Sequence, residues 1–338
     1  LHASAGDVAA ARRAYAAYVQ EFPTPVAPAI EARHELAFLA RRAGDAGDRE
    51  RWLNDLVAAD AAAGTQRTDR SRFLAAQASL ELARPLDATA RAVRLVVPLD
   101  RSLLARKKAQ EAALAAYGRA ADYAIASVTT AASYAMADLY RDLGRALLES
   151  ERPRNLSAEE LEQYDLLLEE QAFPFEEKAI GIHERNVRRS AEGVYDEWVR
   201  RSYADLAQLK PGRYARAERD PGVDAAAGGD LSVDATGALD PLGAALNNQL
   251  GIAYRKVGRF TDARAAYERA IAADPALADA ECNLGILLDL YLDDPAAALP
   301  HYERYQALAG DADTRAAAWL AELRTRLGLV QRTAEAQP

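Results

Sequence analysis

Apolar and small residues recur three and four positions apart along most of the chain. The spacing is most regular over Ala244–Leu277 and its near-copy Ala278–Asp311. In the first stretch Leu250, Gly251, Tyr254, Gly258, Ala263, Tyr267, Ala270 and Pro275 stand in a fixed order, which the second repeats as Leu284, Gly285, Leu288, Ala298 and Tyr302. Such a period predicts helices, two to a stretch. Gly251 and Ala263 are small enough for the paired helices to approach closely, Tyr254 and Tyr267 fill the gaps on either side, and Pro275 stops the second helix. The copy has one extra residue in its turn, at Asp293-Asp294-Pro295, and Leu288 in place of a tyrosine.

A looser version of the pattern runs upstream. Ala29–Ala43 and Asp48–Ala62 predict a helical pair joined by the Gly44-Asp45-Ala46-Gly47 turn, although Trp52 and Leu56 break the small–aromatic order of its second member. Asp69–Leu82 predicts a helix ended near Pro85. Ser102–Ala126 predicts a long helix in which Ala113, Tyr117 and Ala120 recover second-helix spacing, and Ser127–Leu148 one with Met136, Ala137, Tyr140 and Gly144 at first-helix spacing. Glu151–Leu156 reads as a loop, after which Ser157-Ala158-Glu159-Glu160 opens a helix as a capping box. Pro174 is expected in the first turn of a further helix, where its missing N–H costs nothing. In that helix Ala179, His183 and Asn186 take the spacing of Ala263, Tyr267 and Ala270. Gly193–Leu209 predicts another helix, with Tyr195, Trp198, Leu206 and Leu209 near one side, closed by Pro211-Gly212. Glu218–Asp240, rich in Gly, Ala and Asp, reads as a linker or long surface loop with little to bury. Asp311–Leu327, with Trp319, Leu320 and Leu323, reads as an end helix that shields the last repeat, and the chain from Gln331 as frayed. At the other end Gly6, Ala11, Tyr15, Tyr18 and Pro23 have second-helix spacing, so a further helix before Leu1 is expected.

The residue order of Ala244–Asp311 resembles the tetratricopeptide repeat (TPR), a helix–turn–helix unit of about 34 residues. The resemblance implies an all-α fold: an α-solenoid of TPR helix–turn–helix repeats. Residues 1–217 form its divergent part, 218–240 the linker, and 241–338 two clear repeats with a C-terminal capping helix. A narrower resemblance covers Gln163–Asn186 (QYDLLLEEQAFPFEEKAIGIHERN), Gly193–Arg216 (GVYDEWVRRSYADLAQLKPGRYAR) and, upstream, Arg67–Pro85. These stretches are similar to a family of large proteobacterial TPR proteins that are periplasmic or outer-membrane-associated. That family is linked to TonB–ExbB–ExbD-type energy-transducing systems or to gliding-motility machinery. The similarity implies a scaffold in a cell-envelope assembly with protein partners of that kind, and it brings no catalytic residues.

Composition narrows the functions further. Hydrophobic residues make up 50% of the chain but aromatics only 7%, which suits closely packed alanine-rich helices better than a bulky core. The net charge of -9 argues against nucleic acid as a partner, because phosphate binding needs a basic surface. Basic groups such as Arg12-Arg13, Arg41-Arg42, Arg188-Arg189, Arg200-Arg201 and Arg106-Lys107-Lys108 are interleaved with acids. No run approaches the ~18 apolar residues of a membrane span. With one cysteine, Cys282, no intrachain disulfide can form.

Candidate chemistry is sparse. His34-Glu35 begins like a zinc-protease motif, but Phe38 stands where the second histidine is needed. His183 sits at a packing position and reads as a partly buried spacer; Cys282 lies on the inner face of its helix. No phosphate-cradling glycine loop or GxSxG elbow occurs, and Gly228-Gly229 lies in the linker. Adjacent acids such as Glu169-Glu170 and Asp293-Asp294 read as solvated faces. No catalytic residue, metal or cofactor is expected.

The expected activity is therefore non-enzymatic binding of a protein or peptide in the groove lined by the first helix of each repeat. Helical spacing puts Asn248, Ile252 and Arg255, then Asp279, Cys282, Asn283, Ile286 and Asp289, on that side. Asparagine amides pair with both donors and acceptors of an extended backbone whatever its sequence, and Ile252 and Ile286 would offer shallow apolar pockets. The same residues also suit ordinary packing between repeats. The clamp with which chaperone-binding repeats grip a terminal carboxylate is incomplete. Asn283 matches a clamp position, but Ile252 stands where an asparagine is required and no basic pair follows. The alternative is a ligand-binding or enzymatic subunit with its site in Ser102–Arg216.

Overall fold

The structure, a computed structural model, describes residues 7–220, 241–310 and 314–329, and among these there are helices and connections but no strand. Helices α1 (Val8–Glu21), α2 (Val26–Arg42), α3 (Ala46–Ala62), α4 (Asp69–Ala92), α5 (Leu99–Ala121) and α6 (Ala126–Leu148) lead into the long α7 (Ala158–Arg188). Then come α8 (Glu197–Leu209), the short α9 (Pro211–Tyr214), α10 (Pro241–Lys256), α11 (Phe260–Ala273), α12 (Ala278–Ile286), α13 (Pro295–Ala309) and α14 (Thr314–Arg326). The expectations for Gly6, Gly228-Gly229, Asp311 and the end from Gln331 lie outside the described residues, as does most of the linker.

Contacts divide the chain into two compact units, Leu1–Ile182 and His183–Pro338, with the boundary inside α7. In the first unit each helix from α1 to α6 packs on its successor; in the second, α10 to α14 do the same. Helices α8 and α9 belong with the clear repeats, and α9 packs on α14.

Two prolines are placed differently from the expectation. Pro85 does not end α4 but lies inside it, exposed, while Ala83 and Ala90 on either side are fully buried. Those alanines join Ala113, Ala116, Tyr117, Ala132 and Leu139 in one cluster. An interior proline costs a helix about 3 kcal/mol, and close packing on both sides of Pro85 offsets it. Pro174 likewise lies inside α7, not in a first turn. Ala172, two residues before it, is held in a cluster with Leu95 and Leu147. The start of α7 follows the capping box: Ser157 N–H donates to Glu160 Oε2 at 2.8 Å, and Glu160 N–H to Ser157 Oγ at 3.2 Å. Helix α8 begins at Glu197, later than expected, because Asp196 caps it by accepting from the Trp198 and Val199 N–H groups.

The small–aromatic order acts as the sequence suggests, by direct contact. A Cβ on Gly251 would lie 2.3 Å from the Tyr267 ring, and one on Gly285 2.9 Å from the Tyr302 ring. Each glycine is thus a socket for the tyrosine of its hairpin partner. In the first unit Trp52 and Leu56 pack instead with Val19, Ile30, Leu36 and Leu74. The extra residue of the second repeat is absorbed by a turn of π-helix, Leu287–Tyr291, at the end of α12. There the Leu292 N–H donates to the Leu287 carbonyl at 3.0 Å, and Asp293, at φ +50°, redirects the chain into α13. One-turn π segments are the usual way a helix takes up a single added residue.

Candidate polypeptide-binding groove

The residues expected to line the groove lie together, and a piece of the chain itself lies on them. Residues 215–220, between α9 and the undescribed stretch, are extended or irregular. The Arg219 N–H donates to Asn283 Oδ1 at 2.8 Å, and Asn283 Nδ2 donates to the Arg219 carbonyl at 2.8 Å. Asn248 Nδ2 donates to the same carbonyl at 3.1 Å, while its Oδ1 accepts from Asn283 Nδ2 at 2.8 Å. One side-chain amide therefore pairs with both polar groups of one peptide residue, as a neighbouring strand would, and the second asparagine orients the first. Both asparagines are fully buried. A buried amide left unmatched costs about 1–3 kcal/mol, so this arrangement requires a backbone at that place.

The side chains of the segment are read in turn. Arg216 donates to Asp289, to Glu322 and to the Tyr302 hydroxyl, the last at 3.1 Å. Arg216 and Asp289 are both fully buried as side chains, and Arg326 makes a second ion pair with Asp289. Glu218 is paired with Arg255 and accepts from the Tyr267 hydroxyl at 2.6 Å. The Arg219 guanidinium lies over the Tyr305 ring, 5.1 Å from its centroid, and Gln249 reaches Asp220 at 3.3 Å.

A common plan underlies these contacts. Arg255 and Asp289 hold equivalent positions on the first helices of successive repeats, and Tyr267 and Tyr302 hold equivalent positions on the second helices. Each repeat thus offers one charge and one phenol to one side chain of the segment. A phenol can serve either sign, since it donates to a carboxylate and accepts from a guanidinium. Burial pushes the Tyr267 hydroxyl well above the ordinary phenol range, reinforced by the charge of Glu218, so it remains a neutral donor. Burial does the same for Tyr302, opposed by Arg216. Burial works against the Arg255 guanidinium, but its hydrogen bond to Glu218, the charge of Glu218 and the neighbouring Tyr291 and Tyr195 together hold it above its ordinary value.

The other expected positions fall as follows. Ile252 and Ile286 are buried, 8% and 1% exposed, so neither is an open apolar pocket in this state. Cys282 is fully buried. Asp279 is half-buried at the Arg219 end, its carboxyl raised by burial and drawn back by the charge of Arg219. The reading of Glu218–Asp240 as a stretch with little to bury is corrected for Glu218 and Arg219, which are half-buried, whereas Asp220 is exposed. Glu218, Arg219 and Asp220 are held by the repeats because each finds a charged, aromatic or amide partner there. His183 is fully buried rather than partly so, with Nδ1 3.2 Å from Ser202 Oγ. In the region of the alternative reading, the buried Arg106 is paired with Asp142 and donates to the Val93 carbonyl at 3.2 Å. The tyrosine hydroxyls and the segment itself are the groups that the sequence reading missed. The signal for them was an alternation of charge, Arg216-Ala217-Glu218-Arg219, opposite a pair of equivalent positions of opposite charge.

Among the described residues no helix is long and apolar enough to cross a membrane. Neither a family model nor a curated protein matches the sequence.

Proposed function

We propose that this chain is a non-enzymatic scaffold, an α-solenoid of the TPR type, that binds an extended segment of another polypeptide on the face formed by α10 and α12. The observation that carries the reading is the Asn248–Asn283 pair, whose amides already grip both backbone groups of Arg219. Such a grip recognises main chain and leaves specificity to the flanking charges, the division of labour found when extended peptides are bound. The cell-envelope setting, and partners of the TonB–ExbB–ExbD or motility kind, come from the resemblance of Gln163–Asn186 and Gly193–Arg216.

The test is a search for peptide ligands followed by mapping. A library of displayed peptides is selected both on the purified protein and on its Glu218→Ala variant, in which the segment on the face is held less firmly. The enriched peptides are cross-linked to variants carrying a photo-reactive residue at Gln249, on the proposed face, or at the exposed Leu104 in α5. Cross-links at position 249 and none at 104 are the expected result. Enriched peptides that react only at position 104, or a selection that enriches nothing on either form of the protein, would remove this reading.

A further inference from the structure

Residues 215–220 occupy the face on which the scaffold reading places a partner. We propose that this segment is a built-in occupant which a partner's segment displaces, and that the displacing segment carries the same order of side chains: a cation, a carboxylate two residues later, then a cation. The inference rests on the scaffold reading and adds to it the chemistry of the ligand and a condition for binding.

The order follows from three subsites of fixed sign. Asp289 and Glu322, both also paired with Arg326, flank the first position and favour a cation, which Arg216 supplies at present. Arg255 and the Tyr267 hydroxyl flank the second and accept a carboxylate, now Glu218. The third couples the two asparagines, which hold the backbone, to the face of Tyr305, which suits a cation, now Arg219. Because Asp289 and Arg255 are one repeat apart, their opposite signs impose both the spacing and the direction of the bound chain. A segment running the other way, or with its charges exchanged, would set like charges together in a buried place.

The condition comes from the tether. A segment in the same chain as its site competes at an effective concentration on the order of millimolar. A free peptide making only the same contacts is therefore excluded at ordinary concentrations, and so is the segment of a second copy. Admission requires a partner with further contacts outside the face, which makes the segment a filter against chance matches.

The experiment uses the whole chain and a labelled peptide with the sequence Tyr214–Asp220. Glu218→Ala weakens the resident segment and leaves every group of the face intact, so the peptide should bind this variant about tenfold more tightly than the unmodified protein, or better, the loss of one charge-assisted contact corresponding to that factor. Adding Arg255→Ala to Glu218→Ala should cancel the gain, because only the incoming peptide now uses Arg255. A peptide with its arginines and glutamate exchanged should not bind. Equal binding to the unmodified protein and to Glu218→Ala, or none to either up to millimolar peptide, overturns the proposal.

Should Glu218→Ala fail to fold, hydrogen exchange on the unmodified chain decides. The Arg219 amide is expected to exchange well before the amides of α11; exchange only together with them would make the segment a permanent strap and end the proposal. The selected peptides separate the two readings. Ligands that cross-link at position 249 but lack the cation–x–carboxylate–cation order defeat this inference and leave the scaffold standing. The absence of any ligand on the face removes the scaffold reading itself.

Discussion

The hairpins α10–α11 and α12–α13 agree where helix meets helix and differ where they face the segment. Both seat a tyrosine ring over a glycine, Tyr267 on Gly251 and Tyr302 on Gly285. Close approach of two helices leaves few other solutions, so those positions repeat. The outward position does not: it is Arg255 in one and Asp289 in the other, each answered by a segment residue of opposite sign. Even the added residue of the second hairpin is diverted into a π turn at the helix end, leaving the glycine–tyrosine seat in place. Packing positions are constrained by shape and stay alike; presenting positions are constrained only by what they meet.

The largest expected difference between the hairpins lies in those two charges. Asp289→Ala takes from the fully buried Arg216 its fully buried partner and leaves it Glu322 and the Tyr302 hydroxyl; breaking a buried pair costs up to about 3–5 kcal/mol. Arg255→Ala should cost less, about 2 kcal/mol, because the Arg255–Glu218 pair is partly exposed whereas Arg216 and Asp289 are both fully buried. Urea unfolding of both variants checks the ranking, and a reversal would mean that burial does not set the strength of these pairs.

Next come the sockets. Gly251→Ala sets a methyl 2.3 Å from the Tyr267 ring, whereas in Gly285→Ala the nearest approach is 2.9 Å. Overpacking costs about 1–3 kcal/mol, against which alanine returns up to about 1 kcal/mol of helix propensity. Gly251→Ala should therefore lose about 2 kcal/mol and Gly285→Ala less than about 1 kcal/mol. Equal losses in chemical denaturation would show that the second hairpin is as tight as the first.

The smallest effect concerns pH. Asp279 carries a carboxyl raised by burial, so the folded state holds its proton more firmly than the unfolded chain does. Stability from this group is then lost as pH rises from the unfolded value through the folded one. Asp279→Asn should remove that decline, leaving the variant at least as stable as the original at neutral pH. Melting temperatures recorded from acidic to neutral conditions test it, and a variant that keeps the full decline would assign the slope to another group.

Much of the helical plan was legible because it is local. A period of three to four residues and a capping pair at Ser157 and Glu160 carry their meaning within a turn or two. The errors arose where distant packing overrode a local signal. Pro85 looks like a stop, yet the burial of Ala83 and Ala90 carries the helix through it. Pro174 looks like a start and is an interior residue for the same kind of reason. Asn248 and Asn283 were legible as amides aimed at a backbone, but not which backbone. Glu218 and Arg219 have no period and border a Gly/Ala/Asp-rich stretch, so in isolation they look solvated.

The sequence by itself determined the all-helical character of the chain, the glycines that receive tyrosines, and the side of α10 and α12 that carries amides and charges. Each of these follows from side-chain size and helical phase within a few residues. Only the tertiary structure decided that this side is already covered, with Arg216 set against Asp289 73 positions away. Closing so long a loop costs entropy that changes only slowly with length. No local pattern therefore announces the pairing, and it becomes visible only where matched charges, a pair of amides and two phenols converge on one stretch of backbone.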